Sequence, residues 1–413
     1  MMNTFRTIVV SALLVGTAAA AKADPVLDWN AIAVATAASN PFNQARILAA
    51  TQLAVFEAVN TIQGGYEPYL GTIVAPAGAS AEAAAIAAAH DVLKFYVPAS
   101  AAALLAAKNA SLSAIPDGTA KAGGIATGEA AAAAIIAARF NDGATPAQSY
   151  LPSSTDPYQW QLTPGCPATG GVFFNWPNVR PFGIADATAF RADPPPALTS
   201  NEYAKAFDEV KRVGQNTSTE RPQDRTDVAR FYAASSPAYV MNMAARQISV
   251  AQGRSLAHNA RAFALINMAI SDAAVASFAT KYHYTTWRPE TAIHNAEVDG
   301  NSKTDADATW APLIVAPCFP SYASNHGSLS GAGAEVLRRL YGAGGHDITI
   351  TNPAFPTLTY HYSELKQITD DISDARVYGG IHFRFDQDAG AVLGRAVGTA
   401  VYKDNLRKID QPQ

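Results

Sequence analysis

The residues that could do chemistry fall in three short blocks. Lys281-Tyr-His-Tyr-Thr-Thr-Trp-Arg288-Pro289 comes first, and Pro320-Ser-Tyr-Ala-Ser324-Asn325-His326-Gly327 follows. The third is Arg376-Val-Tyr-Gly-Gly-Ile-His382-Phe-Arg384-Phe-Asp386. Together they hold the cations Lys281, Arg288, Arg376 and Arg384, the histidines His283, His326 and His382, and the carboxylate Asp386. Arginine offers an anion a planar fork of donors and lysine a point charge. One imidazole can bond the central atom of a tetrahedral anion while another moves protons at its edge. The inventory suits phosphate or a phosphate-like metal oxyanion.

The spacing Lys-x6-Arg-Pro, Ser-x-His, Arg-x5-His-x3-Asp resembles the signature shared by vanadium-dependent haloperoxidases and type-2 phosphatidic-acid phosphatases. The runs Trp287-Arg288-Pro289-Glu290-Thr291-Ala292-Ile293 and Gly379-Gly380-Ile381-His382-Phe383-Arg384-Phe385 look more like the soluble haloperoxidase branch. The close resemblance covers roughly residues 255–405, with a looser one around 45–62 and 120–143. It implies that His382 is the axial ligand of vanadate, or a transient phosphohistidine in a phosphatase. It implies further that Lys281, Arg288, Ser324 and Arg376 hold the oxygens, with the backbone at Asn325 and Gly327 beside them, and that His326 protonates bound peroxide or a leaving oxygen. Asp386, four residues after His382, can accept its Nδ1 proton and leave Nε2 free as ligand or nucleophile. Phe319, seven residues before His326, stands where chloroperoxidase-like members carry Phe, which makes it the halide-pocket candidate.

Two departures from the family pattern stand out. Asn325 replaces a Gly that suits a close backbone approach or a positive φ. Asn is the non-glycine residue that best tolerates positive φ, so Asn325→Gly is expected to be tolerated, with vanadate affinity equal or higher. In the third block Ser373-Asp374-Ala375 precedes Arg376, where the family often has Ser directly before Arg. Arg384 lies between His382 and Asp386 and is expected to point away from the oxyanion. His283 has no place in the motif.

Helices must position these blocks. Long Ala-rich or apolar runs at helical spacing predict helices over 45–62, 80–96, 119–140, 201–213, 256–282, 328–340, 363–378 and 386–402. Period-2 alternation is nearly absent, with 348–351 the one short strand candidate. The expected fold is all-α, one or more helical bundles, with an N-terminal helical region at 24–140 and the catalytic region at 201–413. Between 141 and 200 fall ten of the chain's 25 prolines together with Trp160 and Trp176. That segment is too aromatic for a solvated linker, so it should pack on the bundle, as a passive cover or as a wall of the substrate channel.

Residues 1–23 carry Arg6, an apolar run over 7–21 and a small-x-small end at Ala21-Lys22-Ala23, the pattern of an export signal. Its removal takes the formal charge from −4 to −6 by deleting Arg6 and Lys22 and no acid. A mildly acidic exported chain without a basic stripe is a poor partner for nucleic acid. Charges interrupt the other apolar helices, so no membrane insertion is expected. Cys166 and Cys318 are either bridged or separate buried thiols. The Asp299–Asp307 run lacks the EF-hand's bidentate Glu and reads as a solvated turn.

The leading functional expectation is a secreted or periplasmic haloperoxidase with vanadate as cofactor. It would take hydrogen peroxide, halide and a small organic substrate. The alternatives are an exported acid phosphatase acting on a phosphate ester without a cofactor, and a degenerate anion-binding member. An oligomer is compatible with the sequence.

Overall fold

A computed structural model describes residues 24–38 and 40–409. The proposed export signal, residues 1–23, lies outside the described residues. The chain forms α1 (Pro25–Thr36), α2 (Pro41–Gln63), α3 (Ala81–Tyr96), α4 (Ala101–Ser113) and α5 (Thr119–Ala138). An irregular segment follows, then α6 (Asn201–Gly214), α7 (Gln223–Ala233), α8 (Pro237–Ala251), α9 (Leu256–Tyr284) and α10 (Pro289–His294). The last part holds α11 (Asn325–Tyr341), the antiparallel hairpin β1 (Gly344–Thr351) and β2 (Thr359–Glu364), α12 (Leu365–Val377) and α13 (Arg384–Asp404).

The architecture is the expected helical one, with more helices than the sequence suggested. α1, α4, α7, α8 and α10 were not anticipated. Three of them start with proline, as does α2, whose start was expected only at residue 45. Pro25, Pro41, Pro237 and Pro289 occupy the first helical position, where the missing N–H costs nothing, so they open helices rather than break them. The hairpin is longer than the 348–351 expectation. Ile348 and Ile350 turn inward at period 2, and the 359–364 strand carries too little apolar alternation to be seen. Residue 363, expected in a helix, belongs to β2.

α9 is the axis of the molecule. Its residues 259–281 are buried except Arg261, and α2, α11 and α13 pack along it. By length and composition α9 could cross a membrane, contrary to the expectation that charges interrupt every such run, but its apolar stretch lies wholly inside the protein. It ends at Thr285, whose left-handed φ of 49° turns the chain toward Arg288.

α11 and α13 approach closely because their facing positions are small. A Cβ at Gly390, Gly394 or Gly398 would meet the backbone oxygens of Ser324, Ser328 or Ala332 at 2.6, 2.1 and 2.6 Å. This contact sets the distance between the block at 320–327 and the block at 376–386.

The 141–200 segment lies on the bundle with Trp160 and Trp176 buried. Asp272, in the middle of α9, accepts N–H bonds from Phe182 and Gly183 at 2.6 Å and from Ile184 at 3.1 Å. Cys166 and Cys318 form a disulfide across 152 positions, with Cα atoms 5.4 Å apart. Closing a loop of that length removes roughly 5 kcal/mol of entropy from the unfolded chain in the loop-closure account.

Candidate active site

The three blocks converge at one end of α9. Lys281 occupies the last turn of that helix and is fully buried, with Nζ donating to the carbonyls of Pro320 and Ser321 at 2.9 and 2.6 Å. Arg288 precedes α10 and donates through Nε to Phe319 O and through Nη1 to Ile381 O. Arg376, near the end of α12, donates to Tyr232 O at 3.2 Å and lies 3.4 Å from His326 Nε2.

His382 stands just before α13, with Nδ1 2.8 Å from Asp386 Oδ2. The same carboxylate oxygen accepts the Ser321 hydroxyl at 2.6 Å and the Phe383 N–H at 3.1 Å. With Nδ1 donating to Asp386, Nε2 carries the lone pair. It faces Arg288 Nη1 at 3.0 Å rather than open space, a correction to the outward-pointing nitrogen expected from the sequence.

Ser324 caps α11, and its Oγ accepts the Gly327 N–H at 3.2 Å. That N–H is therefore taken by the cap, which corrects the picture of Gly327 as part of an open anion cradle. Gly327 faces α13 instead, where a Cβ would stand 3.0 Å from Gln387 O. Asn325 is the first residue of α11 and is not among the residues with positive φ. The left-handed turn that would explain a family glycine is not what this backbone uses.

The electrostatics of the site favour an anion. Lys281, Arg288 and Arg376 are all buried, and the carboxylate among them is Asp386. Burial, then the neighbouring Arg288, drives the Lys281 ammonium well below its ordinary value. Burial lowers Arg288 to about 9 and Arg376 to about 10. Since a guanidinium does not deprotonate in proteins, those shifts reflect the cost of holding two charged groups out of water. His382 and His326 are held well below the usual imidazole range by burial first and then by the same cations. Burial pushes the Asp386 carboxyl up to about 6, opposed by the Ser321 hydroxyl and by Lys281 and Arg288. Arg288 Nη2, Arg376 Nε and Asn325 Nδ2 are buried donors without a partner among the described residues. An oxyanion with several negative charges fits such residues, since it would pair the donors and offset the buried cations.

A cavity of about 370 Å³ opens onto His382, His326, Arg376 and Asn325. Its remaining walls are mostly apolar: Phe42, Phe173, Phe319, Leu329 and Ile381, with the largely exposed Val315 also contributing. Phe319 also stands against the cations, its ring centre 5.3 Å from Lys281 Nζ and 5.1 Å from Arg288 Cζ. Phe173 brings the 141–200 segment into the wall. Arg384 pairs with Glu209 and Asp374 at 2.7 and 2.9 Å, and His283 is exposed.

Sequence reasoning missed Ser321, Phe42, Phe173 and Ser277, which donates to Asn325 Oδ1. Ser321 and Ser277 had faint signals, one inside the second block and the other one helical turn before Lys281. Phe42 had none, because only folding brings α2 beside residues almost 300 positions later.

A family model described as the VCPO second helical-bundle domain matches residues 261–411. Vanadium chloroperoxidase of Curvularia inaequalis is 22% identical over 268 residues, 48% of this chain and 43% of that protein, so less than half of the relative's length is matched. A bacterial vanadium-dependent iodoperoxidase structure superimposes with TM-score 0.78 and 25% identity, covering 94% of this chain and 97% of that one. A holo-type bacterial vanadium-dependent chloroperoxidase gives TM-score 0.69 at 19% identity, covering 93% of each chain.

Proposed function

Because the chain belongs to the superfamily that vanadium-dependent haloperoxidases share with type-2 phosphatidic-acid phosphatases, we propose that it is a vanadate-dependent haloperoxidase that oxidises halide with hydrogen peroxide and halogenates small organic substrates. The observation that carries the proposal is the trio of buried cations around His382, with partnerless donors on Arg288 and Arg376, beside an apolar cavity.

Vanadate, when bound, supplies the Lewis acidity that makes peroxide electrophilic toward halide. Everything else falls to the chain. His382 would hold vanadate through Nε2 in place of its present contact with Arg288 Nη1, and Asp386 fixes its tautomer by holding Nδ1, with Ser321 orienting the carboxylate. Lys281, Arg288 and Arg376 would hold its oxygens and offset their charge. Ser324 can donate its hydroxyl to an oxygen while its lone pair keeps the Gly327 N–H. His326, kept neutral by its surroundings, gains basicity once an anion offsets those cations and can then take up and deliver a proton at the oxyanion edge. Phe319 and the other apolar walls exclude water, which strengthens every charge interaction inside. They also give an organic substrate a dry surface. Residues 1–23 are proposed to export the protein, which N-terminal sequencing of the secreted form would test.

Oxidation of iodide, bromide and chloride, measured with peroxide and vanadate beside p-nitrophenyl phosphate hydrolysis, tests the proposal. Vanadate-dependent halide oxidation supports it. Phosphate-ester hydrolysis without halide oxidation would move the site to phosphoryl transfer through His382.

A further inference from the structure

We infer that Asn325 supplies an additional neutral hydrogen bond to the bound oxyanion and that Ser277 is the positioning residue that aims it. The inference rests on the oxyanion reading of the site and concerns residues that the three-block signature does not explain. Asn325 is 4% exposed and lines the cavity beside His326, Arg376 and His382. Its Oδ1 accepts the Ser277 hydroxyl at 2.6 Å, and its Nδ2 has no partner among the described residues. A buried N–H left unpaired costs free energy comparable to a lost hydrogen bond, so a partner from the cavity would be stabilising.

The orientation of this amide decides its role. In a site crowded with cations, an amide left to itself would present its oxygen to them and so oppose an anion. Ser277 prevents this by claiming the oxygen. The other acceptor near that hydroxyl, Ala323 O, is at 3.5 Å, too long to compete with the contact to Asn325. Ser277 is fully buried on α9, four residues before Lys281, so both side chains leave one face of the helix. Lys281 grips the carbonyls of Pro320 and Ser321 while Ser277 sets the side chain at the start of α11. One helix face thereby fixes both ends of the 320–325 loop. The donor it presents is uncharged and adds a contact to the anion without adding repulsion among Lys281, Arg288 and Arg376.

This reverses the expectation drawn from the sequence, where Asn325→Gly was a harmless return to the family residue. With helical backbone at 325, a glycine gives up the donor and gains nothing from conformational freedom. Calorimetric titration of the full chain with inorganic phosphate and with vanadate is the test, with urea midpoints to confirm that each variant is folded. Asn325→Gly is expected to weaken both anions about tenfold, equivalent to ~1.4 kcal/mol. Ser277→Ala should weaken them several-fold and Ser277→Thr should restore binding. In the Asn325→Gly background Ser277→Ala should cost nothing further, because the pair acts as a unit. Unchanged or tighter binding by Asn325→Gly would overturn the inference, as would an equal loss from Ser277→Ala in both backgrounds. If Ser277→Ala fails to fold, the Asn325→Gly arm decides alone. A parent protein that binds neither anion would instead remove the oxyanion reading on which the inference stands.

Discussion

Alanine at Gly390 or Gly394 tests whether the close approach of α11 and α13 is what brings His382 to the 320–327 loop. A Cβ at Gly394 would stand 2.1 Å from Ser328 O and 2.9 Å from Ala332 N, and one at Gly390 would stand 2.6 Å from Ser324 O. Carbon needs roughly 3.2 Å or more from such atoms, so the helices must part by about 1 Å at Gly394 and about half that at Gly390. The clashing atoms are backbone, so no rotamer change relieves them. Overpacking of this kind costs about 1–3 kcal/mol, from which the better helix propensity of alanine returns about 1 kcal/mol. Gly123 in α5 is the control, since its Cβ would meet side-chain atoms at 3.4 Å, ordinary contact. Gly123→Ala should therefore be neutral or stabilising, leaving Gly394→Ala about 1–3 kcal/mol below it in urea denaturation at unchanged m value. Because Gly390 packs on Ser324 O, moving α13 there also separates His382 from the loop, and phosphate affinity should fall at least ~tenfold for the loss of one charged hydrogen bond. If Gly394→Ala proves no less stable than Gly123→Ala, and Gly390→Ala binds phosphate like the parent, the spacing argument fails.

Three further outcomes are expected. His382→Ala should abolish turnover and sharply reduce vanadate binding while far-ultraviolet circular dichroism stays helical; near-normal vanadate binding would place the site elsewhere. Sulfate stays a dianion across neutral pH, so its binding reports the protein's own protons. A bound anion raises the depressed pKa values of Lys281 and His326, so binding takes up protons and sulfate affinity should fall as pH rises, starting below 6.5 for the histidine and below 10.5 for the lysine. A flat or rising titration curve would contradict the buried-cation account. Phe319→His puts a polar ring beside Lys281 and Arg288 in place of an apolar one, so it should weaken chloride oxidation more than bromide oxidation, read as the ratio of the two kcat/KM values.

The mostly helical architecture and the residues that could hold an oxyanion were legible in the sequence, for a physical reason. Helical periodicity is local, and a site that must carry several charges in a dry interior draws on few residue types. Lys281, Arg288, His326, Arg376, His382 and Asp386 could therefore be picked out through the family resemblance that their kinds and spacing carry, and His382 with Asp386 also by helical geometry. Proline-led helices were less legible because the same residue opens one helix and breaks another, and the choice depends on what precedes it. Tertiary structure alone decided the distances. Small residues at 390, 394 and 398 let two backbones touch, and that contact sets how closely the second and third blocks meet, while the disulfide ties the 141–200 segment beside the second. It also decided that Gly327 serves packing rather than anion binding, that Arg288 occupies the His382 lone pair, and that Phe42 and Phe173 wall the cavity. Asn325 shows the division most clearly. Its identity was visible as a departure, but whether its amide offers an oxygen or an N–H depends on a serine 48 positions earlier, a contact made only when α9 and α11 pack.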